Sequence, residues 1–140
     1  MAVKIPEAFT DLLLEPVFVT VGTILPDGQP HLSVVWCDYD GQHVLLNTAR
    51  GRRKEKNLLN RPLATVLAVD PKNPYRYMEI RGTVEMTEEG ALAHINKLAK
   101  KYAGQDQYYG GVAPAEMANQ ETRVICKITP TKVVTMSLNR

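Results

Sequence analysis

The residues whose side chains are best suited to bind a ligand are cations that directly follow an apolar stretch. Five of them fall within seven positions: Arg50, Arg52, Arg53, Lys54 and Lys56. Guanidinium and ammonium groups bind phosphates and carboxylates, and an arginine does so with two parallel hydrogen bonds. Such a segment is either a solvated basic surface or a site for a multiply charged anion. Because the five cations would point to several faces of a helix, we favour the anion site.

The local sequence predicts the backbone that this anion site needs. Residues 43–48 are typical of a strand, Gly51 permits a sharp turn, and residues 52–60 have the composition of a short helix. The first amides of a helix have no intrahelical acceptor, and the helix dipole makes that end positive. The turn is therefore expected to present free backbone N–H groups together with the cations, an arrangement typical of phosphate binding.

Length and charge limit the classes of partner. A chain of 140 residues has the size of one domain, so we predict a single domain over residues 1–140. The formal net charge of +2 is too small for a general polyanion binder, and the basic segment has no aromatic residues interleaved with its cations. We therefore expect no nucleic acid partner.

The cysteines, the histidines and the apolar runs argue against several other classes. Cys37 and Cys126 lie far apart without CxxC spacing, which predicts buried free thiols in a reducing compartment. The three histidines are scattered, so we predict no metal site. No apolar run has the length of a membrane span, and residues 1–14 lack the pattern of a secretory leader. We expect a soluble cytoplasmic protein without a membrane partner.

The rest of the chain consists mostly of β-branched and apolar stretches separated by turn residues, a pattern that predicts strands. The predicted strands cover residues 17–25, 31–38, 43–48, 63–69, 75–86, 123–128 and 132–137, the last two on either side of Pro130. A turn at 26–30 joins the first two in a hairpin, residues 70–74 are expected to form an irregular loop, and Gly82 marks a bulge or bend. Six or seven antiparallel strands with tight turns favour a closed β-barrel.

Helices are predicted at three places outside the basic segment. The only long one takes Thr87 as its cap, carries apolar residues at helical spacing from Leu92 to Tyr102, and has Lys100 and Lys101 at its carboxyl end. Short helices are expected at 9–14 and 114–118. The predicted fold is mainly β (α+β), with a few peripheral helices.

The order of these elements and the residues on them resemble a known family. The motifs are the hairpin Pro26-Asp27-Gly28-Gln29-Pro30-His31, the strand ending at Thr48, the corner from Arg52 to Leu58 with Arg61-Pro62 behind it, the Arg81-Gly82-Thr83-Val84 strand, and the closing stretches Arg123-Val124-Ile125 and Ile128 to Val133. Over about residues 16–133 they are similar to the split β-barrel flavin and deazaflavin oxidoreductases related to pyridoxamine-phosphate oxidase. The order and spacing of the motifs carry this resemblance.

The resemblance implies a homodimer with its cofactors in grooves between the protomers and the cofactor phosphate at the corner after the third strand. Positions that match the family's phosphate-binding residues are Arg52, Lys54, Lys56 and Asn57. Positions that match residues near the tricyclic ring are Thr48, Ala49, His31 and Ser33, and Tyr75 and Tyr77 resemble the ring-flanking aromatic. Val34 stands where several relatives carry a polar residue, so we expect no ring hydrogen bond from that side chain.

Two cofactors compete within this family, FMN and the deazaflavin coenzyme F420. FMN ends in one phosphate, whereas F420 continues through a phosphodiester into a tail of glutamate carboxylates. Arg50, Arg53 and Arg61 exceed what a lone phosphate needs, and they are placed where they could screen such a tail. The sequence therefore favours F420, with FMN as the alternative.

The expected reaction is a hydride transfer between reduced F420 and a small conjugated or aromatic substrate. Because the hydride chemistry belongs to the cofactor, the protein must hold ring and substrate face to face and exclude water. No residue is a certain catalytic group. Tyr75 and Tyr77 are weak candidates, better suited to stacking than to acid catalysis, and Tyr108 and Tyr109 are further hydroxyls that could supply a proton. A flavin or deazaflavin binding protein without turnover is the alternative function.

Three other residues have structural expectations. Trp36 is expected to pack at a barrel face or a dimer interface, where a large amphipathic ring contributes most. Arg81 and Arg123 are expected to be buried ion-pair partners or interface residues. Neither His43 nor His94 has a predicted function.

Overall fold

The computed structural model describes residues 2–138, which form a curled half-barrel of seven antiparallel strands with three α-helices. The strands are β1 (Val19–Ile24), β2 (Pro30–Val35), β3 (Asp38–Tyr39), β4 (Val44–Ala49), β5 (Leu63–Asp70), β6 (Asn73–Thr87) and β7 (Arg123–Ser137). The α-helices are α1 (Asp11–Leu14), α2 (Arg53–Asn60) and α3 (Ala91–Ala103), and short 3-10 helices cover Glu7–Phe9 and Ala115–Asn119. The prediction of a mainly β, split-barrel fold is confirmed. The expectation of a closed barrel was wrong, because the sheet ends at β2 and β3, which do not pair with each other.

The strands follow one another in the order β2-β1-β5-β6-β7-β4-β3. Alternate residues of each inner strand face the barrel interior, as in Val19 and Val21 of β1 and Met78 and Ile80 of β6, which are all buried. Leu12 and Leu13 of α1 are buried in the same core. Burial of apolar side chains of this size stabilises the fold by about 1.5–3 kcal/mol each.

The predicted strand over 31–38 was wrong in one respect, because it is two strands at opposite ends of the sheet. β2 pairs with β1, whereas β3 pairs with β4. The chain crosses between the two edges at Trp36 and Cys37. Two hydrogen bonds to α3 hold it there: the Cys37 amide donates to the Tyr102 hydroxyl (3.1 Å), and the Lys101 ammonium donates to the Cys37 carbonyl (2.7 Å). The same ammonium also donates to the Leu13 carbonyl of α1 (2.7 Å).

The long strands β6 and β7 correct two further predictions. Residues 123–128 and 132–137 belong to one continuous strand, β7. Gly82 of β6 faces Pro130 of β7, and Arg81 faces Lys132, so the one residue of β7 between these two partners forms a bulge. The predicted bulge or bend at Gly82 coincides with this register shift, and a Cβ there would clash with the Thr129 carbonyl oxygen. The expected irregular loop at 70–74 is instead a tight hairpin turn between β5 and β6.

The long helix begins later than predicted. α3 starts at Ala91, preceded by Gly90 in the left-handed region with φ of 75°. The Thr87 hydroxyl accepts a hydrogen bond from the Glu89 amide (3.2 Å), so Thr87 stabilises the turn before the helix instead of capping it. Lys100 and Lys101 lie in its last turn, as predicted. Among residues 2–138, none of the helices combines the length and the apolar composition that spanning a bilayer requires.

Candidate functional site

A cavity of about 320 Å³ opens where the end of β2 meets β4, β7, the start of α2 and the middle of α3. Its size is at the lower end of the range for small-molecule sites. One part of its wall is apolar and aromatic, and the other part is cationic. The lining residues are Phe18, Val34, Val35, Trp36, Asn47, Arg52, Lys54, Ile95, Leu98, Tyr108, Val112 and Arg123.

The basic corner has the backbone that the sequence predicts. β4 ends at Ala49, Gly51 has φ of 87°, and α2 begins at Arg53. The first helical hydrogen bond runs from the Lys56 amide to the Arg52 carbonyl (3.0 Å), which leaves the amides of Arg53 and Lys54 without an intrahelical acceptor. The corner therefore presents a positive helix end beside the cavity.

One cation of the corner is neutralised by the protein itself. Arg50 forms ion pairs with Glu55 and Glu88, both at 3.1 Å, and the buried Glu55 carboxylate also accepts a hydrogen bond from the Gly51 amide (2.9 Å). The expectation that Arg50 is surplus charge for a cofactor tail does not agree with these contacts. Its charge balances two carboxylates at the outer side of the turn.

Arg52 and Lys54 line the cavity and are balanced by only one carboxylate. Arg52 donates to Glu121 (2.7 Å), and Lys54 has no ion-pair partner among the described residues. Burial lowers the pKa of Lys54, and the charges of Arg52 and Arg123 lower it further. Three cations thus repel one another at one wall, and a bound anion would relieve that repulsion.

Arg123, Trp36 and Tyr108 complete the site, although the sequence assigned none of them to it with certainty. Arg123 is 7% exposed, and its guanidinium carbon lies 5.1 Å from the centre of the Tyr108 ring. Trp36 stacks on Tyr102 at 5.3 Å and meets Tyr108 edge-on at 6.1 Å. Arg123 faces Ala49 across the β4–β7 pair, so its place beside the corner depends on strand pairing, which local sequence patterns do not show.

Three predicted ring-side residues carry buried polar atoms that no protein group satisfies. Among the described residues, the buried side-chain atoms without a hydrogen-bond partner are His31 Nδ1, Ser33 Oγ, Thr48 Oγ1 and His94 Nε2. His31 and Ser33 lie on β2 and Thr48 on β4, the strands that also supply Val34 and Asn47 to the cavity, but none of the three lines the cavity. A buried polar atom without a partner costs about 1–3 kcal/mol.

The other predicted phosphate ligands lie outside the cavity. Asn57 is fully buried, with its amide group donating to Thr23 Oγ1 and its Oδ1 accepting from Arg53 Nε, both at 3.0 Å. The bond to Thr23 ties α2 to β1, and the bond from Arg53 lies within α2. Lys56 and Arg53 are exposed, and Ala49 is buried against the start of β7.

The four tyrosines that the sequence analysis considers lie in different places. Tyr108 lines the cavity, and Tyr109 donates its hydroxyl proton to Glu121 (2.7 Å) on the other side of Arg123. Tyr75 and Tyr77 lie near the start of β6 and do not line this cavity of the single chain. Tyr77 faces Met136 of β7. A role for Tyr75 and Tyr77 at the ring therefore requires a second protomer.

The outer face of the sheet is unusually apolar, and we call it the apolar face. Strand register places Val34, Thr20, Leu67, Glu79 and Val134 side by side across β2, β1, β5, β6 and β7. The exposed apolar residues of this face are Leu32, Val34, Leu63, Leu67, Val134 and Met136. Clustered exposed apolar residues of this kind mark interaction surfaces.

The sequence and the fold of this chain resemble those of known proteins. Residues 5–137 match the family model described as pyridoxamine 5'-phosphate oxidase. The structure of an F420 reductase is 31% identical, covers 93% of this chain and 98% of its own, and superposes with a TM-score of 0.79. A conserved hypothetical protein from Mycobacterium tuberculosis is 25% identical over 97% of this chain and 86% of its own, with a TM-score of 0.69.

A more distant structure shows how widely the fold is shared. A heme storage protein from Vibrio cholerae is 10% identical over 98% of both chains, with a TM-score of 0.68. At that identity the likeness is one of fold. No curated protein sequence matches this chain.

Proposed function

Because this chain belongs to the pyridoxamine 5'-phosphate oxidase family, we propose that it is an oxidoreductase that uses coenzyme F420 for hydride transfer with a small conjugated or aromatic substrate. The likeness to an F420 reductase, at 31% identity over nearly the full length of both chains, supports this cofactor. When bound, the cofactor would supply a ring carbon that carries the hydride. The protein would supply binding, orientation and exclusion of water.

The observation that carries the proposal is the excess of positive charge at the cavity. Arg52 and Arg123 both pair with one carboxylate, Glu121, and Lys54 has no ion-pair partner within residues 2–138. Partial burial raises the pKa of Glu121, but hydrogen bonds from Arg52 and Tyr109 outweigh it and hold the pKa below its ordinary value. Glu121 is therefore ionised at neutral pH, and a net positive charge remains beside the cavity. A phosphate held by Arg52 and Lys54 would compensate it.

The neighbouring residues fit the ring end of such a cofactor. His31, Ser33 and Thr48 offer buried polar atoms that lack a protein partner. Trp36, Ile95, Leu98 and Val112 supply apolar wall. A dry wall of this kind strengthens electrostatic interactions in the site and keeps water from a bound ring.

The cations outside the cavity favour F420 over FMN. Arg53, Lys56 and Arg61 have no carboxylate partner within residues 2–138, unlike Arg50. Three unpaired cations near the corner suit a ligand that continues beyond its phosphate into several carboxylates. FMN, with one phosphate, is the alternative cofactor, and it would leave these three side chains without a role.

The apolar face supports a homodimer. Its residues span five strands, from Val34 to Val134, and Val34 both lies on this face and lines the cavity. A second copy that covered the face would stand at the edge of the cavity, which is where a cofactor between protomers would lie. This arrangement would also bring Tyr75 or Tyr77 of a second copy near a bound ring. The buried free thiols of Cys37 and Cys126 fit a reducing, cytoplasmic location.

One observation favours a second candidate, a deazaflavin or flavin binding protein without turnover. Of the four tyrosines considered as proton donors, Tyr108 alone lines the cavity, and the neighbouring carboxylate Glu121 is held in ion pairs. A reductase of this design would take its proton from Tyr108 or from solvent.

Titration with F420 and with FMN, followed by ligand fluorescence, tests the proposal. We expect the wild type to bind F420 more tightly than FMN. Arg52→Ala and Lys54→Met should weaken F420 binding, while the matched controls Arg50→Ala and Lys100→Met should not. Tight binding of FMN alone, or equal F420 affinity in all four variants, would overturn the proposal.

Turnover separates the enzyme from the binding protein. Oxidation of F420H2 would be followed with a panel of enones, quinones and tetrapyrroles. Reduction of any of these compounds that depends on Lys54 supports the oxidoreductase. Stoichiometric F420 binding without turnover across the panel would favour the second candidate.

A further inference from the structure

Arg123 is a cavity residue that the proposed phosphate site does not require. It lies on β7, outside the basic corner, and its side chain is almost entirely buried. Its Nε donates to Asn47 Oδ1 (2.9 Å) and its Nη1 to Glu121 Oε1 (3.3 Å). A guanidinium has five N–H donors, so donors remain for a ligand. A buried arginine with donors to spare on a cavity wall is typical of an oxyanion-binding residue.

The orientation of the Asn47 amide is fixed by its neighbours. Arg123 Nε can only donate, so it must face Asn47 Oδ1. The Ala91 carbonyl oxygen can only accept, so it must face Asn47 Nδ2, at 2.9 Å. The second proton of Asn47 Nδ2 then points to His94 Nδ1, at 3.0 Å. Asn47 is thus held between one obligatory donor and two acceptors.

His94 must therefore accept a hydrogen bond at Nδ1. Its ring is neutral with the proton on Nε2, and Nε2 is buried without a partner among the described residues. Burial lowers the pKa of His94; the charge of Asp38 on β3 raises it, and those of Lys97 and Lys101 on α3 lower it. The neutral tautomer is the form that is consistent with the position of Asn47.

We propose that Arg123 binds the anionic group of a planar aromatic or conjugated ligand in this cavity, and that Asn47 and His94 are positioning residues that hold its guanidinium there. The flat ring is expected because Trp36, Tyr108, Phe18 and Val112 line the same cavity, and Tyr108 lies under the Arg123 guanidinium. The proposal rests on the proposed function only for the source of the ligand, which is either the anionic part of the cofactor or an acidic substrate.

The hydrogen bonds also set a pH dependence. If His94 gains a proton at Nδ1, that N–H meets the N–H of Asn47, and both groups are donors. Asn47 must then rotate its amide and turn Nδ2 toward Arg123 Nε, which is also a donor. Arg123 loses its tether, so ligand affinity should fall as the pH drops through the pKa of His94, which lies below the usual 6.5.

The test uses 2-naphthalenesulfonate as the probe, with 2-naphthalenesulfonamide as its uncharged control. A sulfonate stays ionised between about pH 4.5 and 8, the range in which a histidine titrates. Trp36 is the single tryptophan of the chain and lines the cavity, so its fluorescence reports binding. We expect Arg123→Gln to weaken sulfonate binding about 30-fold, as for a lost charge-assisted hydrogen bond, and to leave sulfonamide binding unchanged. Arg123→Lys keeps the positive charge, so it should lose less affinity for the sulfonate than Arg123→Gln does.

His94 variants separate positioning from simple packing. Asparagine places an oxygen near the Nδ1 position, so His94→Asn should keep the wild-type affinity, whereas His94→Leu should lower it about 5-fold. The wild-type affinity should fall below pH 6.5, and the His94→Asn affinity should not. Circular dichroism and thermal unfolding would verify the fold of each variant.

Several outcomes would overturn the inference. They are equal binding of sulfonate and sulfonamide, full affinity in a folded Arg123→Gln, no binding of the sulfonate, or a wild-type affinity that does not change with pH. Repeating the sulfonate titration with F420 at a saturating concentration shows whether Arg123 binds the cofactor or an acidic substrate. Arg123-dependent sulfonate binding beside bound F420 assigns the residue to the substrate, and displacement by F420 assigns it to the cofactor. If F420 itself does not bind, the proposed function fails while the sulfonate result stands.

Discussion

Two arginine clusters of this protein have opposite charge balance. In the first, which we call the Arg76 cluster, Arg76 of β6 contacts Asp11 (2.7 Å), Asp70 (3.1 Å) and the Ala8 carbonyl oxygen (2.7 Å), and it lies over the Phe9 ring. The second, which we call the cavity cations, consists of Arg52, Lys54 and Arg123; the two arginines pair with Glu121, and Lys54 has no ion-pair partner among the described residues. One cation meets two acids in the Arg76 cluster, whereas the three cations at the cavity have one acid between them.

The pKa shifts in the two regions follow this difference. The Arg76 hydrogen bond lowers the pKa of Asp11, which means that the ionised cluster is favoured. Burial and two neighbouring cations lower the pKa of Lys54, which means that its charge is disfavoured. A cluster whose charges are satisfied holds elements together, here the amino-terminal helices and the β5–β6 hairpin. A cluster whose charges are unsatisfied is suited to bind something else.

The largest expected effect is on binding at the cavity. Removing Arg52 deletes a donor at the cavity and one of the two arginines that pair with Glu121, so Arg52→Ala should weaken F420 binding about 100-fold. Arg76→Met should leave F420 affinity within twofold of the wild type. Isothermal titration of both variants checks this. An equal loss of F420 affinity in the two variants would show that the two clusters do not differ in function.

The next largest effect is on thermal stability, and it should appear at the Arg76 cluster. Arg76→Met leaves two aspartates without their cation, so its Tm should fall by about 4 °C. The folded-state pKa of Asp11 lies below its unfolded value, so its contribution is present above about pH 4 and is lost as the pH falls through the folded pKa. Melting curves across this range should show that the acid-dependent loss is smaller in Arg76→Met.

Lys54→Met should change stability in the opposite direction. Because the folded-state pKa of Lys54 is lowered, the unfolded state binds more protons between that pKa and 10.5, and wild-type stability rises with pH there. Below that window the charge is a cost that the methionine variant avoids, so its Tm without ligand should rise by about 2–4 °C. Differential scanning calorimetry at several pH values measures both effects. A lower Tm than that of Lys100→Met would contradict this account.

The smallest expected effect is a difference in F420 affinity between variants of two cations outside the cavity, Arg50 and Arg61. Arg50 is already paired with two glutamates, whereas Arg61 has no carboxylate partner within residues 2–138. Arg61→Gln should weaken F420 binding about 3-fold at low salt, as for one screened surface charge, and should leave FMN binding unchanged. Arg50→Gln should change neither affinity. A salt titration of F420 binding to both variants tests the difference.

How far the sequence predicts this molecule depends on the range of the interactions. The corner from Thr48 to Asn60 was predicted because a strand end, a glycine turn and a short helix are local features. The Arg50–Glu88 pair, by contrast, joins residues 38 positions apart. Arg123 reaches the corner only through the β4–β7 pairing, and the chain crosses the barrel at Trp36 because α3 binds Cys37. Local patterns predicted the backbone of the proposed anion site, but not the distant residues that lie beside it or pair with its cations.

A crystal structure of the protein with F420 tests the central claim most directly. We predict that the phosphorus atom lies within hydrogen-bonding reach of the Arg52 guanidinium and the Lys54 ammonium, with the ring toward β2 and β4. A phosphodiester bound at any other surface, with Arg52 still paired only to Glu121, would contradict the account.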